Sequence, residues 1–124
     1  MSGRRDESLL LSDLIQAASR LVSVVGMLPE GSLGQNPDVD EVVLWNLAVL
    51  GEASKRLTST TRERYSDLPW RQLARTRDVI VHHYEGVNWA LIEQICTIDL
   101  PAILPRLVEV NDQLRHEFDS DATD

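Results

Sequence analysis

The chain has 124 residues, 43 % of them apolar, and a formal net charge of −8 at pH 7. That length suits one domain with a hydrophobic core and leaves little room for a second. Cys96 is the single cysteine, which excludes an internal disulfide and a structural zinc site built on cysteines. Asp13 interrupts the apolar run Leu9–Leu11, and Val42–Gly51 is too short to cross a bilayer. We therefore expect a soluble cytoplasmic protein with no signal peptide and no membrane association.

Basic residues are concentrated in one segment. The segment from Lys55 to Arg77 carries +5, whereas the rest of the chain carries −13. The net charge taken alone argues against a nucleic-acid binder, but this segment could form a local phosphate-binding face. A solvated helix surface is the competing interpretation, and the sequence leaves both open. The basic residues of the segment are Lys55, Arg56, Arg62, Arg64, Arg71, Arg75 and Arg77, and the acidic ones are Glu63 and Asp67.

The hydrophobic pattern is helical almost throughout the chain. A first helix is predicted from about Asp6 to Met27, followed by a loop over Leu28–Asn36 that contains proline and two glycines. Asn36 is expected to cap a second helix, with Pro37 at its first position and its end near Leu57.

Three prolines in the second half of the chain bear on where its helices begin, bend or end. The polar stretch 58–68 allows one short helical turn, and a third helix is predicted over residues 69–86, from Pro69 to a glycine cap. Asn88 can cap a final helical segment. Pro101 and Pro105 should bend or break that segment, because each removes a backbone donor.

These elements predict an all-α protein, a four-helix bundle with an extra short helix. One domain is expected over residues 1–124, with residues 118–124 as a frayed acidic tail. A bundle this small has little core for its surface, and dimerisation is a common remedy. The segment Val42–Trp45 places apolar side chains at successive helix positions, which cannot all face one core. It is therefore a candidate homodimer interface.

Arg77 lies on the apolar stripe of the third helix. A guanidinium in that position is costly unless it is paired, and Glu52 on the second helix is one possible partner. The alternative is an arginine whose stem packs against the stripe while its head reaches solvent.

His82 and His83 lie near the end of the same predicted helix. A favourable contact with the helix dipole accounts for such a pair without any further function. A metal site is the weaker interpretation, because no pair of His or Cys at ligand spacing accompanies them and His116 is remote in sequence. We expect no metal.

Arg77 and His82 together allow a third interpretation, which is cleavage of RNA without a metal. Histidine transfers protons near neutral pH, and a guanidinium stabilises charge on a phosphorane through its planar donors. The two positions lie roughly 140° apart around a regular helix. Either the helix loosens near His82, or two chains together complete a cleft.

Four segments of the chain match a known pattern in order and at similar spacing. Arg77–Tyr84 fits R-x4-H-x-Y, Leu50–Leu57 looks like IGEAxKRL, Leu68–Arg71 looks like IPWR, and Tyr84–Trp89 looks like YFGVDW. Together they resemble the HepT-like toxins, a branch of the HEPN superfamily. The resemblance runs from Asp40 to about Leu107.

The resemblance implies an all-helical HEPN-like homodimer with its motif at a cleft between the subunits. It implies a metal-independent endoribonuclease that acts as the toxin of a bacterial or archaeal toxin–antitoxin pair. The antitoxin would be an MntA-like nucleotidyltransferase that transfers AMP from ATP to the motif tyrosine. This chain would need no cofactor, because ATP and Mg²⁺ would serve the partner.

The family's functional residues carry over to this sequence by position. Arg77 would stabilise the scissile phosphate, and His82 would act as general acid or base, leaving a cyclic phosphate. Tyr84 would be the AMP acceptor. Asp78 stands where many relatives carry Asn, and it could either orient His82 or repel substrate phosphate. Glu85 replaces the usual Phe and adds another negative charge.

A second function is compatible with the same residues. The chain could be a HEPN-like dimer that pairs with a nucleotidyltransferase but cleaves no RNA. The negative charges at Asp78 and Glu85, together with the acidic net charge, count slightly in favour of this binding module, but the match over four segments makes the nuclease the preferred hypothesis.

Overall fold

A computed structural model describes residues 3–78 and 86–122 of the chain. Within these residues the protein is all-α and contains no strand, which confirms the predicted fold class. The helices are α1 (Gly3–Gly26), α2 (Pro37–Arg56), α3 (Ser59–Arg64), α4 (Trp70–Arg75), α5 (Trp89–Gln94) and α6 (Leu100–Ala122), with a π-helical segment (Ile95–Asp99) between the last two.

The core lies where α1 packs between α2 and α6. Leu11, Leu14, Leu47 and Leu107 are among its fully buried side chains. By length and composition alone, the Asp6–Gly26 part of α1 could cross a membrane. In this fold Leu11, Leu14 and Leu21 of this helix fill the core against the two neighbouring helices, whereas Leu9 is exposed.

The start of α2 follows from its capping residues. The Asn36 side chain accepts a hydrogen bond from the Asp38 N–H (3.1 Å), and Pro37 occupies the first turn. The helix ends at Arg56, and Leu57 caps it in an extended conformation. Both predicted ends of this helix are confirmed.

The third predicted helix is interrupted. A continuous helix over residues 69–86 is wrong, because α4 ends at Arg75 and is followed by a turn at Thr76 and Arg77. The Thr76 N–H bonds to the Leu73 carbonyl (3.2 Å), which tightens the last turn of α4. The rest of the predicted helix, residues 79–85, lies outside the described residues.

The final helix continues past both prolines. The Asn88 side chain caps it by accepting from the Leu91 N–H (3.1 Å), as predicted. The helix widens into the π-helical segment just before Pro101, which relieves crowding between the proline ring and the preceding turn. Pro105 lies inside α6. The predicted disruption is therefore a local change of helix type rather than a break.

Helix α6 extends to Ala122 and so includes residues 118–122 of the predicted tail, whose fraying stays a prediction. Near this end, Glu117 forms an ion pair with Arg64 at the end of α3. That contact ties the last turns of α6 to the body of the domain.

Glu7 joins α1 to the start of α3. Its Oε1 accepts from the Thr58 N–H (2.9 Å) and from the hydroxyls of Thr58 and Thr61 (both 2.6 Å). Glu7 is itself buried. A carboxylate at a helix N-terminus also interacts favourably with the helix dipole.

Replacing Glu7 by Ala should lower the free energy of unfolding by about 1–3 kcal/mol, because it leaves the buried Thr61 hydroxyl and the Thr58 donors without this acceptor. Urea unfolding followed by circular dichroism measures the change. Asp13→Ala, an exposed acid on the same helix, should shift stability by less than about 0.5 kcal/mol. Equal shifts for the two variants would show that the Glu7 contacts contribute nothing specific.

Candidate active site and basic groove

The turn after α4 lies directly on α2. A Cβ added at Gly51 would come within 2.7 Å of both the backbone nitrogen and the Cβ of Arg77, and 3.0 Å from the Thr76 hydroxyl oxygen. No larger residue fits without moving the backbone of the turn. Gly51 therefore sets how closely Arg77 approaches α2.

Thr76 fixes the same turn with its side chain. Its hydroxyl donates to the Leu73 carbonyl (2.7 Å) and shares the proton with the Leu47 carbonyl of α2 (3.1 Å). The residue is buried. The turn is thus held to α2 by a close backbone contact and by a buried hydrogen bond.

Arg77 forms an ion pair with Glu52 through its Nη1. This confirms the predicted pairing of the two residues. Both side chains are a little over 40 % exposed (43 % for Arg77 and 45 % for Glu52). An ion pair this open to solvent adds little to stability, so its main effect is to restrain the guanidinium, which keeps donors free for another ligand.

Five of the seven basic residues of the segment from Lys55 to Arg77 line one open groove of about 610 Å³, which we call the basic groove. Arg77 and Asp78 lie at this groove, beside residues from the end of α2, from α3 and from α4. Its charged lining residues are the basic Lys55, Arg62, Arg71, Arg75 and Arg77 and the acidic Glu63 and Asp78. This gathering of positive charge favours the phosphate-binding interpretation over an evenly solvated helix surface.

Several predicted site residues fall in the part of the chain that is not described. His82, His83, Tyr84 and Glu85 belong to residues 79–85, so their predicted roles stay predictions. Asp78 is exposed and lines the basic groove next to Arg77. In the described ranges, no group of three or more His, Cys, Asp or Glu side chains could hold a metal ion.

A second cavity lies on the other side of Arg77. It is bordered by Leu10 and Asp13 of α1 and by Trp45 and Glu52 of α2. Trp45 is 69 % exposed and Val42 is exposed as well, whereas Val43 and Leu44 between them are buried. Half of the predicted interface segment therefore faces solvent, as its spacing required.

Gly51 and Thr76 hold the Arg77 turn, but the sequence did not predict a role for either residue. The available signal was Gly51 itself, because glycine inside a helix costs about 1 kcal/mol and usually marks a close approach. Nothing in the sequence indicates which segment makes that approach.

The chain matches the HepT-like ribonuclease family over residues 14–110, a range that includes Gly51, Arg77 and the basic groove. It therefore belongs to this family of RNA-cleaving enzymes.

Individual relatives carry the same kind of name. The chain is 25 % identical over 100 residues to a Methanocaldococcus jannaschii protein provisionally named an RNase, covering 81 % of this chain and 92 % of the relative. A provisionally named RNase of Caldanaerobacter subterraneus is 27 % identical over 100 residues, covering 81 % and 89 %. A protein of Thermococcus cleftensis named a probable ribonuclease HepT is 33 % identical over 61 residues, covering 49 % and 56 %. No solved structure matches the chain significantly.

Gly51→Ala should lower the free energy of unfolding by about 1–3 kcal/mol, because the new methyl group meets the backbone of Arg77. Thermal and urea unfolding measure this change. Gly26→Ala is the matched control, since a Cβ there meets nothing within 4 Å, and its stability should equal the wild type or exceed it by up to about 1 kcal/mol. A Gly51→Ala variant as stable as the Gly26→Ala variant would contradict the close contact.

Proposed function

We propose that the chain is the toxin of a bacterial or archaeal toxin–antitoxin pair and that it cleaves RNA without a metal. The observation that carries this proposal is the placement of Arg77. The family's motif arginine sits on a fixed turn, is restrained by Glu52, and lies at a groove rich in positive charge. That arrangement suits a group that must hold a phosphate in one position.

The proposed reaction is attack of the ribose 2′-oxygen on the neighbouring phosphorus. The 2′-O–P bond forms and the bond to the 5′-oxygen of the next nucleotide breaks, leaving a 2′,3′-cyclic phosphate and a 5′-hydroxyl. His82 acts as general base or acid, accepting the 2′-hydroxyl proton or giving a proton to the 5′-oxygen. Arg77 stabilises the negative charge that builds up on the phosphorane oxygens.

Asp78 affects this chemistry by its charge. It lines the groove beside Arg77, and a carboxylate there disfavours phosphate binding by like-charge repulsion. The same carboxylate is close enough in sequence to orient His82, four residues further on. The first effect lowers activity and the second supports it.

The proposed antitoxin is an MntA-like nucleotidyltransferase that modifies Tyr84 with AMP, using its own ATP and Mg²⁺. Tyr84 follows His82 by two residues, so each added AMP would bring a phosphodiester charge and considerable bulk to the catalytic segment. That charge would repel RNA phosphate, by the electrostatics that govern phosphorylation. We further propose that the protein works in the cytoplasm as a homodimer, with the exposed Trp45 and Val42 at the subunit interface.

The second candidate is a dimeric binding module that pairs with the nucleotidyltransferase and cleaves no RNA. The acidic residues in the basic groove, Glu63 and Asp78, favour it. The two candidates differ in one property, which is cleavage of RNA by the unmodified chain.

His82→Ala should abolish RNA cleavage while leaving the fold intact, because it removes the group that transfers protons. The test incubates each protein with total cellular RNA in EDTA and checks its mass for added AMP. His116→Ala, an exposed histidine on α6, should cleave like the wild type. Equal cleavage by a well-folded His82→Ala variant would contradict the catalytic role. Absence of cleavage by unmodified wild type would favour the binding module.

Tyr84→Phe should prevent AMP transfer, because it removes the acceptor oxygen and keeps the ring. Incubation with the cognate nucleotidyltransferase and ATP, followed by mass spectrometry, measures the labelling. Tyr65→Phe is the control, since Tyr65 is 3 % exposed and its hydroxyl is buried. Burial raises the pKa of Tyr65 despite the nearby arginines, and this variant should be labelled like the wild type. Labelling of Tyr84→Phe would identify another acceptor.

A further inference from the structure

The basic groove contains more positive charge than the cleavage step needs. The reaction proposed above uses Arg77, but Lys55, Arg62, Arg71 and Arg75 line the same groove. Among the described residues, none of these four forms an ion pair. We infer that these four side chains bind the phosphates of the RNA backbone beside the cleaved bond, whatever bases that strand carries. This inference rests on the proposed function, because it concerns the strand on which Arg77 would act.

Two arginines elsewhere in the domain, Arg64 and Arg106, behave differently. Arg64 pairs with Glu117, and Arg106 pairs with Asp67 (2.8 Å). Both guanidiniums also lie over the Tyr65 ring, 5.1 and 5.8 Å from its centre. These arginines connect α3, α6 and the loop before α4, and carboxylates of the domain itself neutralise their charge. The four groove residues have no carboxylate partner among the described residues, and binding of an anion relieves the repulsion between them.

The spacing of the groove cations suits a chain of phosphates. Arg71 and Arg75 are one turn apart on α4, where side chains four residues apart have Cβ atoms about 5–6 Å from each other. Lys55 comes from the last turn of α2 and Arg62 from α3. Three helices thus supply the positive charge, and Arg77 lies two residues after the end of α4. A flexible polyanion can contact all of them in succession.

Among the described residues that line the groove, Ser59, Ser66 and Gln72 are the uncharged side chains with exposed polar groups that a base could bond to. The aromatic side chain of the lining, Trp70, is only 6 % exposed. Its indole N–H donates to the Tyr65 carbonyl (2.9 Å), so the ring is neither free to stack on a base nor free to donate to one. Contacts to phosphates position a strand without distinguishing its sequence. The groove should therefore bind different single strands about equally.

Salt dependence of binding tests the inference directly. Each phosphate contact on a single strand contributes about 0.7 to the slope of log affinity against log salt concentration. The probes are fluorescein-labelled 20-nucleotide oligo(U) and oligo(A) RNAs, bound to His82→Ala protein so that they stay intact. Adding Arg71→Gln and Arg75→Gln should weaken binding of both probes and reduce the slope by about 1.4.

A matched control removes the same charge outside the groove. Arg20 on α1 and Arg115 on α6 line no part of the basic groove, and Arg115 donates a hydrogen bond to the Ser12 hydroxyl. Arg20→Gln with Arg115→Gln should keep the wild-type slope. Circular dichroism of both double variants shows that the exposed substitutions leave the helices intact.

The outcomes separate this inference from the proposed function. If the groove variant and the control have the same slope, or if oligo(A) and oligo(U) differ more than tenfold in affinity, the inference is wrong. It is also wrong if the groove variant loses binding to the nucleotidyltransferase and keeps its affinity for RNA. If the groove variant alone loses RNA affinity while unmodified wild type cuts no RNA, the groove inference stands and the nuclease proposal fails.

Discussion

The contact between α2 and the turn after α4 determines where the key arginine can act. At Gly51 the two backbones approach more closely than any side chain would allow. The buried Thr76 hydroxyl bonds to both elements at the same point. Arg77 follows Thr76 directly, so these contacts fix the position of its backbone independently of what its side chain binds. Because interiors are close-packed, a displacement at this point must move Arg77.

The arginines of the domain divide into two groups by their contacts. Arg64 and Arg106 hold α3 and the loop before α4 against α6 through ion pairs with Glu117 and Asp67. Hydrogen bonding to Arg106 lowers the pKa of Asp67, and its charge acts in the same direction, which keeps this carboxylate ionised. The groove cations other than Arg77 have no ion-pair partners among the residues described. A domain with a net charge of −8 can therefore still present a local surface suited to a phosphate chain.

The starts of two helices could be predicted because each is marked by a capping side chain. Asn36 and Asn88 cap the helices that follow them, as their side chains and positions indicated. The end of α4 could not be predicted, because the apolar spacing continues through Arg77 and suggests an unbroken helix. The helix ends at Arg75 because the buried Thr76 hydroxyl and the approach to Gly51 outweigh that pattern. The π-helical segment before Pro101 is a similar case, since a proline signals a distortion without fixing its form.

The all-α class, the helix caps and the motif typical of the family were all predictable from the amino-acid sequence alone. Helix propensity, capping and apolar spacing are local properties, and each can be read within a few turns of chain. The pairing of Arg77 with Glu52 was one of several possibilities until the fold brought α2 and the turn together. The tertiary structure alone decided that cations from α2, α3 and α4 share one groove and that Gly51 supports the arginine. Those relations join residues far apart in the chain, so they depend on how the helices pack.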